Sequence, residues 1–309
     1  MVKWLVKVIA IMSMTVLLIG CTTEKTVDNK NRKVLVTTTT SQVYDAVLHI
    51  GGEHVEVSSL MGPGVDPHLY KATQSDIQKL QEADLIFYNG LHLEGKMADV
   101  LKKMDKEKPT YAIAERIDQS LLKEDEEDRS MTDPHVWFDI DLWIEAVKQV
   151  EKGLIEFDPQ HKEDYQKNAK EYYKELQTLK EYAIKQLATI PKEQRVLVTA
   201  HDAFSYFGDA YDMEVMGLQG LSTDAEYGLK DVQELVDVLV ERKVKAVFIE
   251  SSISEKSIQA VIEGAKKKKH KVIIGGELFS DAMGEEGTEE GTYVGMYKHN
   301  VDTIVQSLQ

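Results

Sequence analysis

The tripeptide Asp-Pro-His occurs twice, at Asp66-Pro67-His68 and at Asp133-Pro134-His135. In each copy the proline fixes its own φ, has no N–H to donate, and biases the preceding aspartate toward extended backbone. The histidine is therefore carried on a stiff arm. The first copy lies in Met61-Gly62-Pro63-Gly64-Val65-Asp66-Pro67-His68-Leu69-Tyr70, where two glycines and two prolines within six positions exclude helix and ladder pairing. Two imidazoles on matched rigid loops have the chemistry of half a metal site, since neutral imidazole binds borderline divalent ions. Asp-Pro-His also arises by chance, and a lone histidine after a strand is more often a satisfied loop residue. The reading depends on whether the chain delivers further ligands to the same place.

Residues 33–38 read as a buried strand and 42–50 as a helix with Val43, Ala46, Val47 and Ile50 on one face. Strands follow at 55–60, 84–88 and 110–113, with helices at 75–82 and 94–104. The second half repeats the pattern, with strands at 195–199, 213–218, 246–249 and 271–274 and helices at 203–211, 230–241, 255–268 and 293–308. Strands alternating with helices at this spacing predict βαβ units and parallel sheets. Between the halves, a helix at 141–157 is followed by Asp158-Pro159 and a run, 160–189, without glycine or proline. There Tyr165, Ala169, Tyr172, Leu176, Leu179, Ala183 and Leu187 recur at helical spacing, a helix of about 45 Å at 1.5 Å per residue. The expected fold is α/β: two lobes, each a parallel-sheet α/β sandwich, joined by one long rigid helix. The expected bounds are 33–157 for the first lobe, 158–190 for the linking helix and 191–309 for the second lobe. A stiff single crossover predicts small closures rather than a wide clamshell.

Ligands of open parallel sheets bind beyond the carboxyl ends of the strands. His68 follows the second strand and His135 falls in the loop after the fourth. His201 directly follows the strand at 195–199, opening the helix of Ala200-His201-Asp202-Ala203-Phe204. The last strand leads into Gly275-Gly276-Glu277-Leu278-Phe279-Ser280-Asp281, a glycine-marked loop that ends in a carboxylate. Two ligands from each lobe are thus expected to meet in the cleft: His68, His135, His201 and Asp281, a full ligand set for a borderline divalent metal. Glu250, ending the strand at 246–249, is placed to accept the second N–H of a ligating imidazole, or instead to cap the Ser251–Ser254 turn. Of the other histidines, His49 is placed on a helix, His54 in a strand, His161 on the first turn of the long helix, His270 in a lysine-rich turn and His299 on the last helix. His92, in Asn89-Gly90-Leu91-His92-Leu93-Glu94-Gly95, is the one rival ligand. Trp137 and Phe138 read as core.

Composition narrows the setting. The 309 residues are 42% hydrophobic and 29% charged, which suits a globular body with a real core. The single cysteine, Cys21, excludes a disulfide framework and a cysteine-based zinc site in the body. Residues 1–20 carry Lys3 and Lys7 ahead of an apolar run from Val8 to Ile19, the pattern of a secretory signal. Leu18-Ile19-Gly20-Cys21 resembles the bacterial lipobox, which implies that Cys21 is lipidated, as with palmitate, and becomes the first residue. An ordinary cleaved signal or an N-terminal anchor is the alternative, although the run is short against the roughly 20 apolar residues of a spanning helix. Residues 21–32 then form a polar tether. Losing Lys3 and Lys7 leaves 35 basic side chains against 53 acidic, a net charge of −18. So acidic a body argues against nucleic acid and against lying on anionic lipid. It concentrates cations, and it serves plain solubility equally well. The acidic run Glu124–Arg129 reads as a solvated loop.

The stretches Met61–Tyr70, Asn89–Met97, Asp133–Phe138, Leu197–Phe207, Leu218–Asp231, Phe248–Ser257 and Gly275–Gly284 resemble the metal-binding lipoproteins of bacterial metal ABC importers, most nearly the manganese-binding ones of Bacillus-type bacteria. The resemblance implies ligands at His68, His135, His201 and Asp281. It also implies an extracytoplasmic, lipid-anchored monomer of Gram-positive type, with a membrane permease and a cytoplasmic ATPase as partners. Some streptococcal manganese binders carry glutamate at the position of His201. Zinc-specific relatives carry a long histidine-rich loop where this chain has Glu124–Arg129, which argues against a dedicated zinc scavenger. Manganese is the expected cargo, with zinc or iron as alternatives. No enzyme activity is expected: the chain has no Gly-rich Lys-Ser/Thr phosphate loop and no His-Glu-x-x-His helix. A metallohydrolase using the same ligands and a surface adhesin are the readings from other classes.

Overall fold

A computed structural model describes residues 32–124, 131–224 and 227–309. The leader, Cys21, the tether through residue 31, residues 125–129 of the acidic run, and Ala225 and Glu226 lie outside the described residues. In the first half, β1 (Val34–Thr38), β2 (Val55–Ser59), β3 (Leu85–Tyr88) and β4 (Thr110–Ala112) form one parallel sheet in the order β2-β1-β3-β4. Helices α1 (Ser41–Gly51), α2 (Gln74–Glu82), α3 (Ala98–Asp105) and α4 (Ile140–Phe157) accompany it. Adjacent strand residues serve two cores, as a parallel sheet covered on both faces requires. Leu85 and Phe87 pack with Val47 of α1 and Val150 of α4, whereas Ile86 packs with Leu80 of α2 and Leu101 of α3.

The second half has β5 (Val196–His201) paired in parallel with β6 (Glu214–Gln219), and β7 (Ala246–Glu250) paired in parallel with β8 (Ile273–Leu278). β5 runs beside β7, so the two pairs meet along their inner strands. Val198 and Val247 face a core with Leu239 of α7 (Leu229–Arg242) and Val261 of α8 (Lys256–Lys267). Leu197 and Phe248 enter the main core with Phe207 of α6 (Ser205–Tyr211) and Ile304 of α9 (Tyr293–Leu308). The fold is the expected α/β class with parallel sheets.

The linking helix α5 spans Lys162–Leu187, 26 residues, or about 39 Å at 1.5 Å per residue. Its seven buried residues are Tyr165, Ala169, Tyr172, Leu176, Leu179, Ala183 and Leu187, the seven picked out by their spacing. They lie in one continuous core that extends from Val34 of β1 to Leu308 of α9. The helix is therefore a shared wall as well as a covalent link.

The last strand departs from expectation. The sequence predicts a strand at 271–274 and a loop opening at Gly275, but β8 spans Ile273–Leu278 and runs through both glycines. The register slips between Val247 and Phe248, so that Val247 pairs with Ile274 and Phe248 with Gly276. A Cβ on Gly276 would stand 2.4 Å from Cγ2 of Thr303, so the residue serves the close approach of α9 rather than a turn.

Candidate metal centre

Each arm of the centre is built locally. β2 leads into the 61–70 loop, whose start is pinned by Leu60 N–H to Thr38 O (2.9 Å) and Met61 N–H to Thr39 O (2.9 Å). The Asp66 carboxylate accepts from the His68 amide (2.9 Å), closing an Asx turn that the intervening proline stiffens. The second arm is drawn back by an antiparallel bridge between Glu124 and Thr132 and by Asp133 N–H to Lys123 O (2.9 Å). Oδ1 of Asp133 then takes both the His135 amide (2.9 Å) and Nδ1 of its ring (2.8 Å).

His201 was expected to open a helix. It instead ends β5, paired with Gln219, and the next helix starts at Ser205. Glu250, ending the neighbouring β7, extends the order: its Oε1 accepts from the amides of Ala200 (2.7 Å) and His201 (2.9 Å). Its Oε2 lies 2.6 Å from Nδ1 of the His201 ring. Gly217 of β6 permits the packing here, because a Cβ on it would stand 2.4 Å from the Asp202 nitrogen. Asp281 follows β8, and the carbonyl of Ser280 before it accepts from Nε1 of Trp137 (3.1 Å) and Nε2 of Gln42 (3.3 Å).

The structure brings His68, His135, His201 and Asp281 together, with one potential ligand atom from each all within 4.8 Å of one another. All four are buried, at 4%, 0%, 0% and 1% exposure. Oδ1 of Asp281 lies 3.3 Å from Nε2 of His135, and its Oδ2 lies 3.3 Å from Nε2 of His201 and 3.7 Å from Nε2 of His68. The three Nε2 atoms and both Asp281 oxygens are buried without a hydrogen-bond partner. Native interiors rarely leave even one such atom unpaired, so five facing each other mark a place for a cation.

Electrostatics follow the carboxylates. Burial lowers the pKa of His68 to about 3, and the more distant Asp281 does not offset it. For His135 burial pushes down too, but the hydrogen bond to Asp133 and the charge of nearby Asp281 outweigh it and lift the ring to about 9. Burial likewise opposes the rise at His201, where the charges of Glu250 and Asp281 hold the ring well above its ordinary value. Burial would raise Asp281, yet the surrounding imidazoles keep it well below the usual carboxylate range. Two of the three rings thus carry a carboxylate on Nδ1, which turns Nε2 inward and makes it a stronger donor.

The remaining sequence candidates fall elsewhere. His92 is exposed, in a left-handed conformation (φ 66°), beside the cluster but outside it. His54 lies in a 3-10 turn at Gly52–His54 rather than in the strand. There it stacks on His161 with ring centroids 3.8 Å apart and contacts Asp164 at 2.9 Å. Phe138 is core, as expected; Trp137 is buried as well, but also holds the Asp281 loop. Asp66 and Asp133 act as hydrogen-bond acceptors for their own histidines, a role that the repeated motif itself signals.

Fold and centre together define a two-lobed α/β binding protein with a buried three-imidazole, one-carboxylate cluster. The ZnuA family, described as zinc-uptake complex component A, periplasmic, matches residues 36–307. The chain is 56% identical over 300 residues to the manganese-binding lipoprotein MntA of Bacillus subtilis, covering 97% of this chain and 98% of that one. It is 48% identical over 278 residues to the zinc-binding protein TroA of Treponema pallidum, covering 89% of each. The solved structure of that periplasmic zinc-binding protein superposes with a TM-score of 0.87, covering 89% of this chain and 99% of that one. The structure of Fe(III)-bound YtgA from Chlamydia trachomatis superposes at 0.81 with 29% identity, covering 89% of this chain and 98% of that one. The chain belongs to the ZnuA family of metal-binding substrate-binding proteins.

Proposed function

We propose that this protein is the extracytoplasmic receptor of a metal ABC importer. It captures one divalent transition-metal ion on His68, His135, His201 and Asp281 and hands it to a membrane permease driven by a separate ATPase. The observation that carries the reading is the set of five buried, unpartnered donor atoms turned toward one another. A divalent ion satisfies all five, and the carboxylates of Asp133 and Glu250 on the outer side of two rings help balance its charge. Glu250 acts by orienting His201. The chain itself performs no bond-making chemistry.

Manganese is the cargo favoured here, with Zn²⁺ or Fe²⁺ as alternatives. Three nitrogens and a carboxylate bind Zn²⁺ more strongly than Mn²⁺ on the Irving–Williams order. Both Asp281 oxygens lie open to the centre, however, so the site offers five donors, more than the four that tetrahedral zinc requires. The manganese-binding name of the relative at 56% identity supports the same choice.

Among the described residues no helix is long and apolar enough to cross a membrane. In this reading residues 1–20 are a cleaved leader and Cys21 carries the lipid that holds the protein at the cell membrane. Residues 21–32 tether a monomeric body with lobes at 33–157 and 191–309 about the helix region 158–190. Deleting the gene from its host tests the function. Growth in metal-depleted medium should fail and be rescued by added Mn²⁺; rescue by Zn²⁺ alone would reassign the cargo, and unimpaired growth with normal metal content would remove the import role.

A further inference from the structure

Given the cluster as the ion site, the two Asp-Pro-His motifs differ in what their aspartates touch. Asp133 devotes Oδ1 to the amide and the ring of its own histidine. Asp66 gives Oδ1 to the His68 amide, but its Oδ2 accepts from the hydroxyl of Thr223 at 2.6 Å. Thr223 follows β6 in the second half of the chain and is buried, at 8% exposure. The bond therefore crosses the cleft, from the arm that carries His68 to the opposite wall.

Two observations put that bond on the path of the ion. A cavity of about 390 Å³ is lined by His68 and by Ser222 and Asp224, the two chain neighbours of Thr223, together with His92, Lys96 and Met131. Lys96 also donates to Asp224 across this mouth (2.7 Å), but both side chains are about a third exposed or more, so water screens the pair. The opposite side of the site is closed. Ser280 O is held by Trp137 and Gln42, and the Met283 amide donates to Ser41 Oγ (2.9 Å), all three partners belonging to the first half of the chain. An opening at Thr223 would uncover His68 while the bonds on the Asp281 side stay made.

We propose that the Asp66–Thr223 hydrogen bond is the latch that sets how fast the ion leaves. Asp66 is a positioning residue: it holds the His68 arm in the ligand set while Thr223 engages it from the other wall. The ion, by fixing His68, in turn fixes the carboxylate that Thr223 binds. The Asp66 carboxylate is half-buried, and a hydrogen bond to a charged group is strong enough that its loss should speed release by about tenfold.

The test is a chelator chase of Mn²⁺ from the reloaded full chain, comparing the protein with Thr223→Val, which keeps the shape and removes the hydroxyl, and with Thr223→Ser, which keeps the hydroxyl. Both variants should bind one equivalent and melt near the parent. Thr223→Val should release the ion about tenfold faster, while Thr223→Ser should stay within about twofold of the parent. Asp66→Asn, which weakens the acceptor, should move release in the same direction as Thr223→Val. Parent-like release from both Thr223→Val and Asp66→Asn, or equal acceleration by valine and serine, overturns the latch. A parent chain that takes up no ion overturns the site itself, so the two failures are distinct.

Discussion

Glu250 meets His201 from two directions: one carboxylate oxygen accepts from the His201 amide at 2.9 Å, and the other lies 2.6 Å from Nδ1 of its ring. Both residues are buried, at 3% and 0% exposure. The carboxylate thereby fixes the tautomer and the direction of Nε2, and holds the end of β5 against β7. Glu250→Gln keeps an acceptor for the two amides but loses the charge on the ring, so metal affinity should fall by about 10- to 100-fold with little loss of stability. Glu250→Ala should add about 1–3 kcal/mol of destabilisation, because the Ala200 and His201 amides lose their acceptor. Metal titration and urea denaturation of the two variants separate these effects; equal affinity in parent and Glu250→Gln would remove the orienting role.

The packing of α9 on β8 depends on a missing side chain. A methyl group on Gly276 meets Thr303 at 2.4 Å, and the glycine also carries a backbone φ of 159° that side chains seldom adopt. Gly276→Ala should cost about 1–3 kcal/mol, the usual range for overpacking. Pairing it with Thr303→Ser, which removes the opposing methyl, should recover part of the loss. Urea denaturation of the single and double variants measures this; additive losses would mean that the clash is not the cause.

His49 on α1 makes stability depend on alkaline pH. Burial would lower its pKa, but its hydrogen bond and charge contact with Asp45 outweigh that and raise it to about 9. The ring stacks on Tyr172 of α5 at 4.3 Å, so it sits where the linking helix meets the first sheet's cover. A pKa above the unfolded value means that the contribution is fully present below about pH 6.5 and is lost as pH rises through about 9. The stability gap between the parent and His49→Gln should therefore be widest near pH 6 and level off at a smaller value by about pH 10, where only the stacking on Tyr172 remains. Thermal melts across that range check it; a gap that grows with pH would contradict the assignment.

Much of this centre is legible in the sequence because it follows from sheet topology. Parallel strands place their carboxyl ends together: His201 ends β5, Asp281 follows β8, His68 lies in the loop that leaves β2, and His135 lies in the longer connection from β4 to α4. The seven buried residues of α5 are legible for a similar reason: helical period is a local property of the chain. What was not legible depends on long-range approach. Gly275-Gly276 look like a turn locally, but the ladder with β7 makes them strand and the close approach of Thr303 from α9 requires glycine at 276. The helix expected from Ala203 starts later because β6 and Glu250 together draw Ala200 and His201 into β5. The differing tasks of Asp66 and Asp133, identical in local sequence, are set by Thr223, 157 positions away from Asp66.

The central claim is that four residues hold one ion, and calorimetric titration of the metal-stripped protein with Mn²⁺ tests it most directly. One equivalent should bind, and His68→Ala, His135→Ala, His201→Ala and Asp281→Ala should each weaken binding by about 100-fold or more, as expected when a ligand is removed outright rather than a group behind it. Substitution of exposed His92 should leave it near the parent. Undiminished affinity in the four variants, or a stoichiometry other than one, would contradict the account.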